Sequence, residues 1–164
     1  MSEFPYGIEE LNSQHDRSEF SCGAAALDRY IRQQASQDIR RQVSKCFVAV
    51  EPRTVRVAAF YTLAASGLPM DILPMDVQRR LPHYPLVPAA RLGRLAVDER
   101  HKGRKLGATL LGDALLRASR AEMGVFALVV DAKDEAAESF YLHYGFLLLA
   151  PRQLFLPLAT AKKR

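Results

Sequence analysis

The spacing of apolar residues along this chain predicts an alternation of strands and helices. Three runs, at 46–50, 55–64 and 125–131, are almost continuously apolar, which is typical of interior strands covered on both faces. Apolar residues recur at intervals of three to five over 24–40 and again over 106–118, and this spacing predicts two amphipathic helices. The long elements can therefore be placed before any motif is considered.

Local signals place the shorter elements between these runs. They predict a lead-in strand within 1–12, a strand over 91–97, a helix capped by Asp134 that runs through Glu138 to His143 and ends at Gly145, and strands over 146–149 and 153–158. Five prolines within 66–90 predict a surface loop there, with one helical turn at most, near 75–80. The order βαββ, loop, βαβαββ predicts an α/β fold (a mixed α+β sheet) with helices covering the sheet, in a single domain spanning 1–164.

Composition narrows the class of protein. With 164 residues, 49% of them hydrophobic and 25% charged, the chain has the composition of a soluble globular protein with one core. No apolar run approaches 18 residues and no signal-peptide pattern opens the sequence, so we expect a cytoplasmic protein that does not enter a membrane. Cys22 and Cys46 are not in a CxxC arrangement, which predicts two reduced, partly buried thiols and no metal site.

The charge of the chain favours an anionic partner. The formal net charge is +5, and basic residues cluster over 29–45, over 79–105 and in the tail at 162–164. A nucleotide cofactor, an RNA or an acidic protein would each suit such a surface, and the charge alone does not distinguish among them.

The most informative stretch is a basic turn between a strand and a helix. It joins the strand at 91–97 to the helix at 106–118 and reads Arg100-His101-Lys102-Gly103-Arg104-Lys105. Unpaired main-chain amides at a helix start, together with the helix dipole, form a site for anions. The turn lacks both the GxxxxGK[ST] pattern of ATP-binding loops and the GxGxxG pattern of dinucleotide folds. We therefore predict that it holds the pyrophosphate of a nucleotide-bearing cofactor.

This turn and the strand before it resemble the coenzyme A loop of the GNAT acetyltransferase superfamily. The resemblance rests on Leu95-Ala96-Val97-Asp98 at the strand end and on Lys102-Gly103-Arg104-Lys105-Leu106-Gly107. It implies a GNAT-like central sheet, mixed and mostly antiparallel, whose splayed central strand pair binds acetyl-CoA. The resemblance assigns the pantetheine arm to Leu95, Ala96 and Val97, and the pyrophosphate to Lys102, Gly103, Arg104, Lys105, Leu106, Gly107 and Ala108. It implies no metal.

Two positions depart from the family pattern [QR]xxGx[GA]. Lys102 stands where arginine or glutamine is usual, which keeps a positive charge but loses the planar fork that grips phosphate. Lys105 stands where glycine is usual, and we expect it to impose ordinary backbone angles where glycine would allow close approach. The sequence therefore predicts a weaker or slightly shifted pyrophosphate contact.

A second motif lies near the end of the chain. The segment Phe140-Tyr141-Leu142-His143-Tyr144-Gly145-Phe146 resembles the end of the last GNAT helix, where a tyrosine protonates the leaving sulfur. The resemblance assigns this general-acid role to Tyr141, and a phenol with a pKa near ~10 is protonated at neutral pH. Tyr144 is the alternative acid, and the other interpretation of Tyr141 is a core aromatic without a catalytic role.

The amine that accepts the acetyl group decides whether a base is needed. An α-amine with a pKa of ~7.7 to 8.0 is partly neutral at cellular pH, whereas a lysine amine near ~10.4 needs help. Glu99, His83 and His101 are the available candidate bases, and all three are poor ones. The sequence thus favours an α-amine substrate.

Four segments together resemble a narrower group, the GNAT-type toxins of bacterial type II toxin–antitoxin systems. They are FSCGAAALDRYIRQQA at 20–35, FYTLAAS at 60–66, RLGRLAVD at 91–98 and FYLHYGF at 140–146. The resemblance implies acetylation of the α-amine of aminoacyl-tRNA, which blocks translation, a ribbon-helix-helix antitoxin as partner, and a homodimer. Two hypotheses stay open beside it: a GNAT acetyltransferase acting on a small-molecule or protein amine, and a non-catalytic module that binds coenzyme A or RNA.

Overall fold

The computed structural model describes residues 6–159, and the elements named here lie within that range. The strands are β1 (Gly7–Glu10), β2 (Lys45–Val50), β3 (Val57–Pro69), β4 (Leu86–Val97), β5 (Ala127–Asp131), β6 (Leu147–Ala150) and β7 (Gln153–Pro157). The helices are α1 (Ala25–Arg29), α2 (Ala35–Arg40), α3 (Met75–Gln78), α4 (Leu106–Ser119) and α5 (Glu135–His143), with a π-helical turn at Tyr30–Gln34 and 3-10 turns at Met70–Ile72 and Glu99–His101. The start of the predicted lead-in strand, at 1–5, and the basic tail at 162–164 lie outside the described residues.

The strands form a mixed sheet in the order β1-β2-β3-β4-β5-β7-β6, flanked by helices. β2 pairs antiparallel with β1 and β3, and β7 pairs antiparallel with β5 and β6. β4 and β5 pair in parallel, from Ala89 opposite Ala127 to Leu92 opposite Val130. The expected fold class, a mixed and mostly antiparallel sheet with flanking helices, is confirmed.

The continuously apolar runs form interior strands, as predicted. Residues 46–50 of β2, 57–62 of β3 and 127–130 of β5 are all buried. Branched, aromatic and small side chains on both faces of these strands leave no polar face for solvent. Among the described residues, no helix combines the length and the apolarity that crossing a membrane requires.

The helix expected over 24–40 is present but contains a π-helical turn. The amide of Ala35 donates to the carbonyl of Tyr30, five residues earlier, so the helix widens by one residue at this point. In a regular α-helix, five residues would turn the chain about 140° away from the starting face. The wider turn instead keeps Tyr30, Ile31 and Ala35 all buried in the core.

The expectation of a loop throughout 66–90 is wrong at both ends. β3 continues to Pro69 and β4 begins at Leu86, while the middle of the segment holds the predicted helical turn as α3. A proline removes one donor from a strand but keeps its carbonyl. The carbonyl of Pro88 accepts a hydrogen bond from the amide of Phe126 at 2.8 Å, so β4 passes through this proline without losing its neighbour.

The chain divides into two compact units, and each has an apolar core. The first unit comprises Met1–Ala64 and Gly93–Ala114, and the second comprises Ala65–Leu92 and Leu115–Arg164. Core residues of the first unit include Phe20, Ile31, Val48, Phe60 and Ala96. Core residues of the second unit include Leu68, Val77, Val87, Val129 and Phe155. The basic loop and the strand end before it belong to the first unit, and α5 belongs to the second.

Candidate active site

The end of β4 is fixed by a buried carboxylate. Asp98 is 1% exposed, and its oxygens accept hydrogen bonds from the amides of Ser21, at 3.0 Å, and Arg100, at 2.8 Å. Its own amide donates to the carbonyl of Ala58 on β3 at 2.8 Å. Asp98 therefore joins the strand end to the segment at 20–23 and to the 3-10 turn that begins the basic loop.

The surroundings of Asp98 favour its charged form. Burial by itself would raise the pKa of this carboxyl, but hydrogen bonds from the side chain and amide of Arg100 and from the amide of Ser21 lower the pKa below its ordinary value. In the sequence, Asp98 stands out only as the last residue of the motif Leu95-Ala96-Val97-Asp98. Its partner Ser21 lies 77 residues away along the chain, and no local sequence pattern predicts such a contact.

The side chain of Lys102 bonds to the segment at 20–23. The Lys102 ammonium donates to the carbonyl of Cys22 at 3.1 Å. Gly23 adopts a φ of +94°, and a Cβ at this position would lie 3.3 Å from Glu99 Oε2. The FSCG motif therefore packs directly against the loop, with Glu99, one of the candidate bases, held against its glycine.

The backbone of the loop contradicts one expectation. Lys105 has a φ of +59°, so this lysine itself adopts the left-handed conformation usual for glycine. At this position the carbonyl of Lys105 accepts the first hydrogen bond of α4, from the Thr109 amide at 3.1 Å, and the next side chain, Leu106, is buried. The expectation that Lys105 imposes ordinary backbone angles is therefore wrong. Gly103, with a φ of +84°, provides the other left-handed residue of the turn.

The residues predicted to hold the cofactor differ in exposure. The side chains at 102–105 are exposed, Leu106 is buried and can offer only its amide, and the two residues after it are half-buried. Along 95–97, Ala96 packs in the core and its two neighbours are half-buried, as the alternation of a strand requires. The first unit thus presents consecutive exposed residues, three of them cationic, at the start of the 14-residue helix α4.

Tyr141 lies near the end of α5, in the second unit. Its side chain is 4% exposed, and its ring packs against those of Phe140 and Phe146. Its hydroxyl has no hydrogen-bond partner among the described residues, yet none of their fully buried polar side-chain atoms is unpaired, so the hydroxyl keeps contact with solvent. A buried ring with an accessible hydroxyl suits a group that donates a proton to a bound molecule.

The electrostatics around Tyr141 keep its phenol protonated. Burial raises the pKa of Tyr141 well above its ordinary value, and the charge of Asp131 raises it further. Asp131 ends β5 and pairs with Arg91 of β4, whose guanidinium also donates to Ser66 Oγ at 3.4 Å. The protonated phenol is the state that a general acid requires.

The other candidate acids and bases are placed differently. Tyr144, just after the end of α5, is 37% exposed. His83 is exposed between α3 and β4. His101 is buried, and both of its ring nitrogens are hydrogen-bonded, one to Tyr6 and one to Glu51. His101 is thus engaged in the structure on both sides.

The two thiols have a structural role. Neither Cys22 nor Cys46 is in a disulfide, as predicted, and both are buried rather than partly buried. Burial raises the pKa of Cys46 to about 12, so its thiol stays protonated and is a poor nucleophile. Across residues 6–159, no group of three or more histidine, cysteine, aspartate or glutamate side chains could hold a metal ion.

The strand, loop and helices match a known family. Residues 85–155 match the model of the family described as acetyltransferase (GNAT) domain. This range contains β4, the basic loop, α4 and α5, the elements that carry the two motifs. They define a GNAT acetyltransferase, a class of enzymes that transfer an acetyl group to nitrogen.

Relatives and solved structures agree with this class over most of the chain. The tRNA-acetylating toxin of Mycobacterium tuberculosis is 37% identical over 138 residues, which cover 83% of this chain and 81% of the toxin. The structure of AtaT complexed with acetyl-methionyl-tRNAfMet is 28% identical, with a TM-score of 0.89, over 96% of this chain and 98% of that one. A mutant AtaT toxin bound to the C-terminus of the antitoxin AtaR and acetyl-CoA is 25% identical, with a TM-score of 0.83, over 97% of both chains. The chain therefore belongs to the GNAT acetyltransferases and is similar over most of its length to the tRNA-acetylating toxins among them.

Replacing Asp98 with alanine tests its role at the strand end. The substitution leaves the amides of Ser21 and Arg100 without their acceptor and empties a buried site, and we expect the free energy of unfolding at neutral pH to fall by about 2 to 4 kcal/mol. Because the folded pKa of Asp98 is lowered, its contribution is present above the unfolded value near ~3.8 and is lost as the pH falls through the folded value. Urea denaturation should therefore show the difference at neutral pH and a smaller difference at acidic pH.

Glu122→Ala, at an exposed position, is the control for this substitution. It should change the free energy of unfolding by less than about 0.5 kcal/mol. An Asp98→Ala protein as stable as the parent would show that the strand end is held by other contacts.

Lys105 allows a matched test of its backbone conformation. Lys105→Gly and Lys105→Ala remove the same charge, but only glycine adopts the left-handed conformation without steric cost. We expect the glycine variant to be more stable than the alanine variant by about 1 kcal/mol in thermal or urea denaturation. Equal stabilities, or a more stable alanine variant, would mean that residue 105 is not left-handed in solution.

Proposed function

We propose that this N-acetyltransferase transfers the acetyl group of acetyl-CoA to the α-amine of aminoacyl-tRNA, and that it acts as a toxin by blocking translation. The observation that carries the proposal is the exposed basic loop at 102–105, in a chain 37% identical to a tRNA-acetylating toxin over 83% of its length. The net charge of +5 supports an RNA substrate, because cations that neutralise phosphates supply much of the affinity for RNA.

The residues of the first unit fit acetyl-CoA as co-substrate. Exposed cations within 102–105 and main-chain amides at the start of α4 suit a diphosphate, since the amides and the helix dipole attract anions. The half-buried side chains of Leu95 and Val97 suit the less polar pantetheine arm. We assign the diphosphate to 102–108 and the pantetheine to 95–97, and the bound thioester supplies the acetyl group.

Tyr141 is assigned as the general acid. When the amine nitrogen bonds to the acetyl carbon, the carbon–sulfur bond breaks and the departing thiolate takes a proton. The Tyr141 hydroxyl supplies this proton, and its raised pKa keeps it protonated throughout the pH range in which the amine becomes neutral. The acetylated nitrogen releases its own proton to solvent, and solvent returns one to the phenolate, so the proton balance closes.

The side chains around the motifs support an α-amine as the acceptor. Of the candidate bases, His101 is bonded at both nitrogens, Glu99 is held against Gly23 and His83 is exposed between α3 and β4. An α-amine with a pKa of ~7.7 to 8.0 is partly neutral without such a base, whereas a lysine amine is not. The amino group of an aminoacyl-tRNA is of the first kind.

An antitoxin and a second copy of the chain are the proposed partners. Support for a ribbon-helix-helix antitoxin comes from the similar AtaT toxin, solved with the C-terminus of its antitoxin. Support for a homodimer comes from β6, the last strand of the sheet, where Leu147 and Leu148 are both about half exposed. We further propose a cytoplasmic location, where aminoacyl-tRNA is made, and a single domain over 1–164.

A non-catalytic module that binds coenzyme A or RNA is the second candidate function. It is favoured by Lys102, which departs from the family pattern and donates to a main-chain carbonyl. Acetylation of a small-molecule or protein amine is the third. Turnover and the identity of the acetylated amine separate all three.

Transfer of labelled acetyl groups tests the proposed substrate. The purified protein should transfer label from acetyl-CoA to charged tRNA and not to the same tRNA after deacylation, because the α-amine leaves with the amino acid. Induced expression of the protein should also arrest the growth of the cells that express it. Label on a polyamine or a protein alone would select the small-molecule or protein alternative, and no label on any acceptor would select the non-catalytic module.

Tyr141→Phe tests the assigned acid. We expect kcat to fall by about 100-fold with the KM for acetyl-CoA changed little, because the ring is kept and only the proton donor is lost. Since the pKa of Tyr141 is raised, kcat of the parent should show no decline attributable to this group below about pH 10.

Tyr144→Phe is the matched control, because Tyr144 lies three residues further along and is exposed. Its kcat should stay within about twofold of the parent. If Tyr144→Phe is the impaired variant and Tyr141→Phe is not, the acid is Tyr144.

A further inference from the structure

A line of hydrogen bonds runs from the basic loop into the first unit. Arg104 Nη1 donates to Tyr6 Oη at 2.9 Å, and Tyr6 Oη lies 3.0 Å from His101 Nδ1. His101 Nε2 lies 3.0 Å from Glu51 Oε2, and the other oxygen of Glu51 pairs with Arg56 at 3.4 Å. Two buried side chains, Tyr6 and His101, thus connect the exposed cation Arg104 of the loop to the carboxylate of Glu51.

The chemistry of the groups fixes the first bond of this line. A guanidinium can only donate, so Tyr6 Oη accepts from Arg104. The direction of the two bonds at His101 depends on its tautomer, but in either direction they connect Tyr6 to the Glu51 carboxylate.

The inner members of this line are held rigidly. Tyr6 and His101 are 5% and 8% exposed, and their rings stand edge-on with centroids 5.5 Å apart. Arg104 is exposed, and a free arginine side chain loses about 2 kcal/mol of rotamer entropy when it is immobilised on a ligand. The bond to Tyr6 restricts Arg104 before any ligand arrives and leaves its other N–H donors available.

Arg104 also has the planar fork that Lys102 lacks. The family motif begins with arginine or glutamine at the position of Lys102, and here the Lys102 ammonium donates to the carbonyl of Cys22. A guanidinium matches two phosphate oxygens at once, which an ammonium cannot do. The strongest diphosphate donor of the loop is therefore Arg104.

We propose that Tyr6, His101 and Glu51 are positioning residues that hold the guanidinium of Arg104 towards the diphosphate of acetyl-CoA. The proposal rests on the proposed function, which assigns the diphosphate to this loop. It predicts that loss of the line weakens recognition of the diphosphate in particular, rather than turnover in general.

Acetyl donors with and without the diphosphate separate these effects. Acetyl-CoA carries a 3′-phospho-ADP group, which includes the diphosphate, and S-acetylpantetheine lacks this whole group, so the ratio of their kcat/KM values reports recognition of the nucleotide end. Acetyl-3′-dephospho-CoA keeps the diphosphate, so a loss confined to diphosphate recognition should lower the ratio for this donor to the same extent as for acetyl-CoA. Tyr6→Phe and Glu51→Gln should each lower the acetyl-CoA ratio by about tenfold, through KM for acetyl-CoA. Arg104→Ala should lower the ratio at least as much, and Tyr6→Phe added to Arg104→Ala should lower it no further, because the two residues act as one unit.

Glu9→Gln is the matched control, since Glu9 also bonds a buried histidine, His15, at 2.6 Å but has no contact with the loop among the described residues. Its ratio should equal that of the parent. If the parent uses acetyl-CoA and S-acetylpantetheine equally well, the diphosphate does not bind at this loop, and the proposed cofactor site is wrong. If the parent prefers acetyl-CoA over S-acetylpantetheine and Tyr6→Phe and Glu51→Gln show the same preference, only the positioning role is overturned.

Discussion

One buried carboxylate, Asp98, holds together the parts of the first unit that the chemistry requires. It accepts from the amide of Ser21 and from the amide and side chain of Arg100, and its own amide bonds to Ala58. A charge in the interior is costly unless donors surround it, and here the donors come from two segments, Ser21 and Arg100, while Ala58 accepts from the Asp98 amide. The position of the FSCG motif, the end of β4 and the start of the basic loop are therefore set by the same group.

The loop that follows Asp98 concentrates like charges. Lys102, Arg104 and Lys105 lie within four residues, and all three side chains are exposed. Two of them are tied down by acceptors of the unit itself, and the side chain of Lys105 has no partner among the described residues. Like charges this close together repel one another, which favours the binding of an anion at this loop.

Elements that depend on near neighbours could be predicted from the sequence, and contacts between distant segments could not. Asp134 caps α5 through the amide of Ala137, and Gly145 ends it with a φ of +94°, since both signals act within a few residues. The loop predicted around Pro88 is wrong, because the effect of a proline on a strand depends on which strand lies beside it. The partner Ser21 of Asp98 was missed because it lies far away along the chain. The left-handed backbone of Lys105 was missed because a lysine rarely adopts it. The motifs single out the basic loop and Tyr141, but they contain no information on the side chains that contact them.

The π-helical turn at Tyr30–Gln34 bears on how the length of this chain can vary among its relatives. A π turn is an α-helix with one residue inserted, so removing a residue there would leave a continuous α-helix with Ala35 still facing the core. In α4, whose 14 residues run without interruption, the same deletion would rotate the following buried side chains by about 100°. The deletion of a single residue should accordingly be tolerated in the first helical segment, because the buried side chains after it would keep their face.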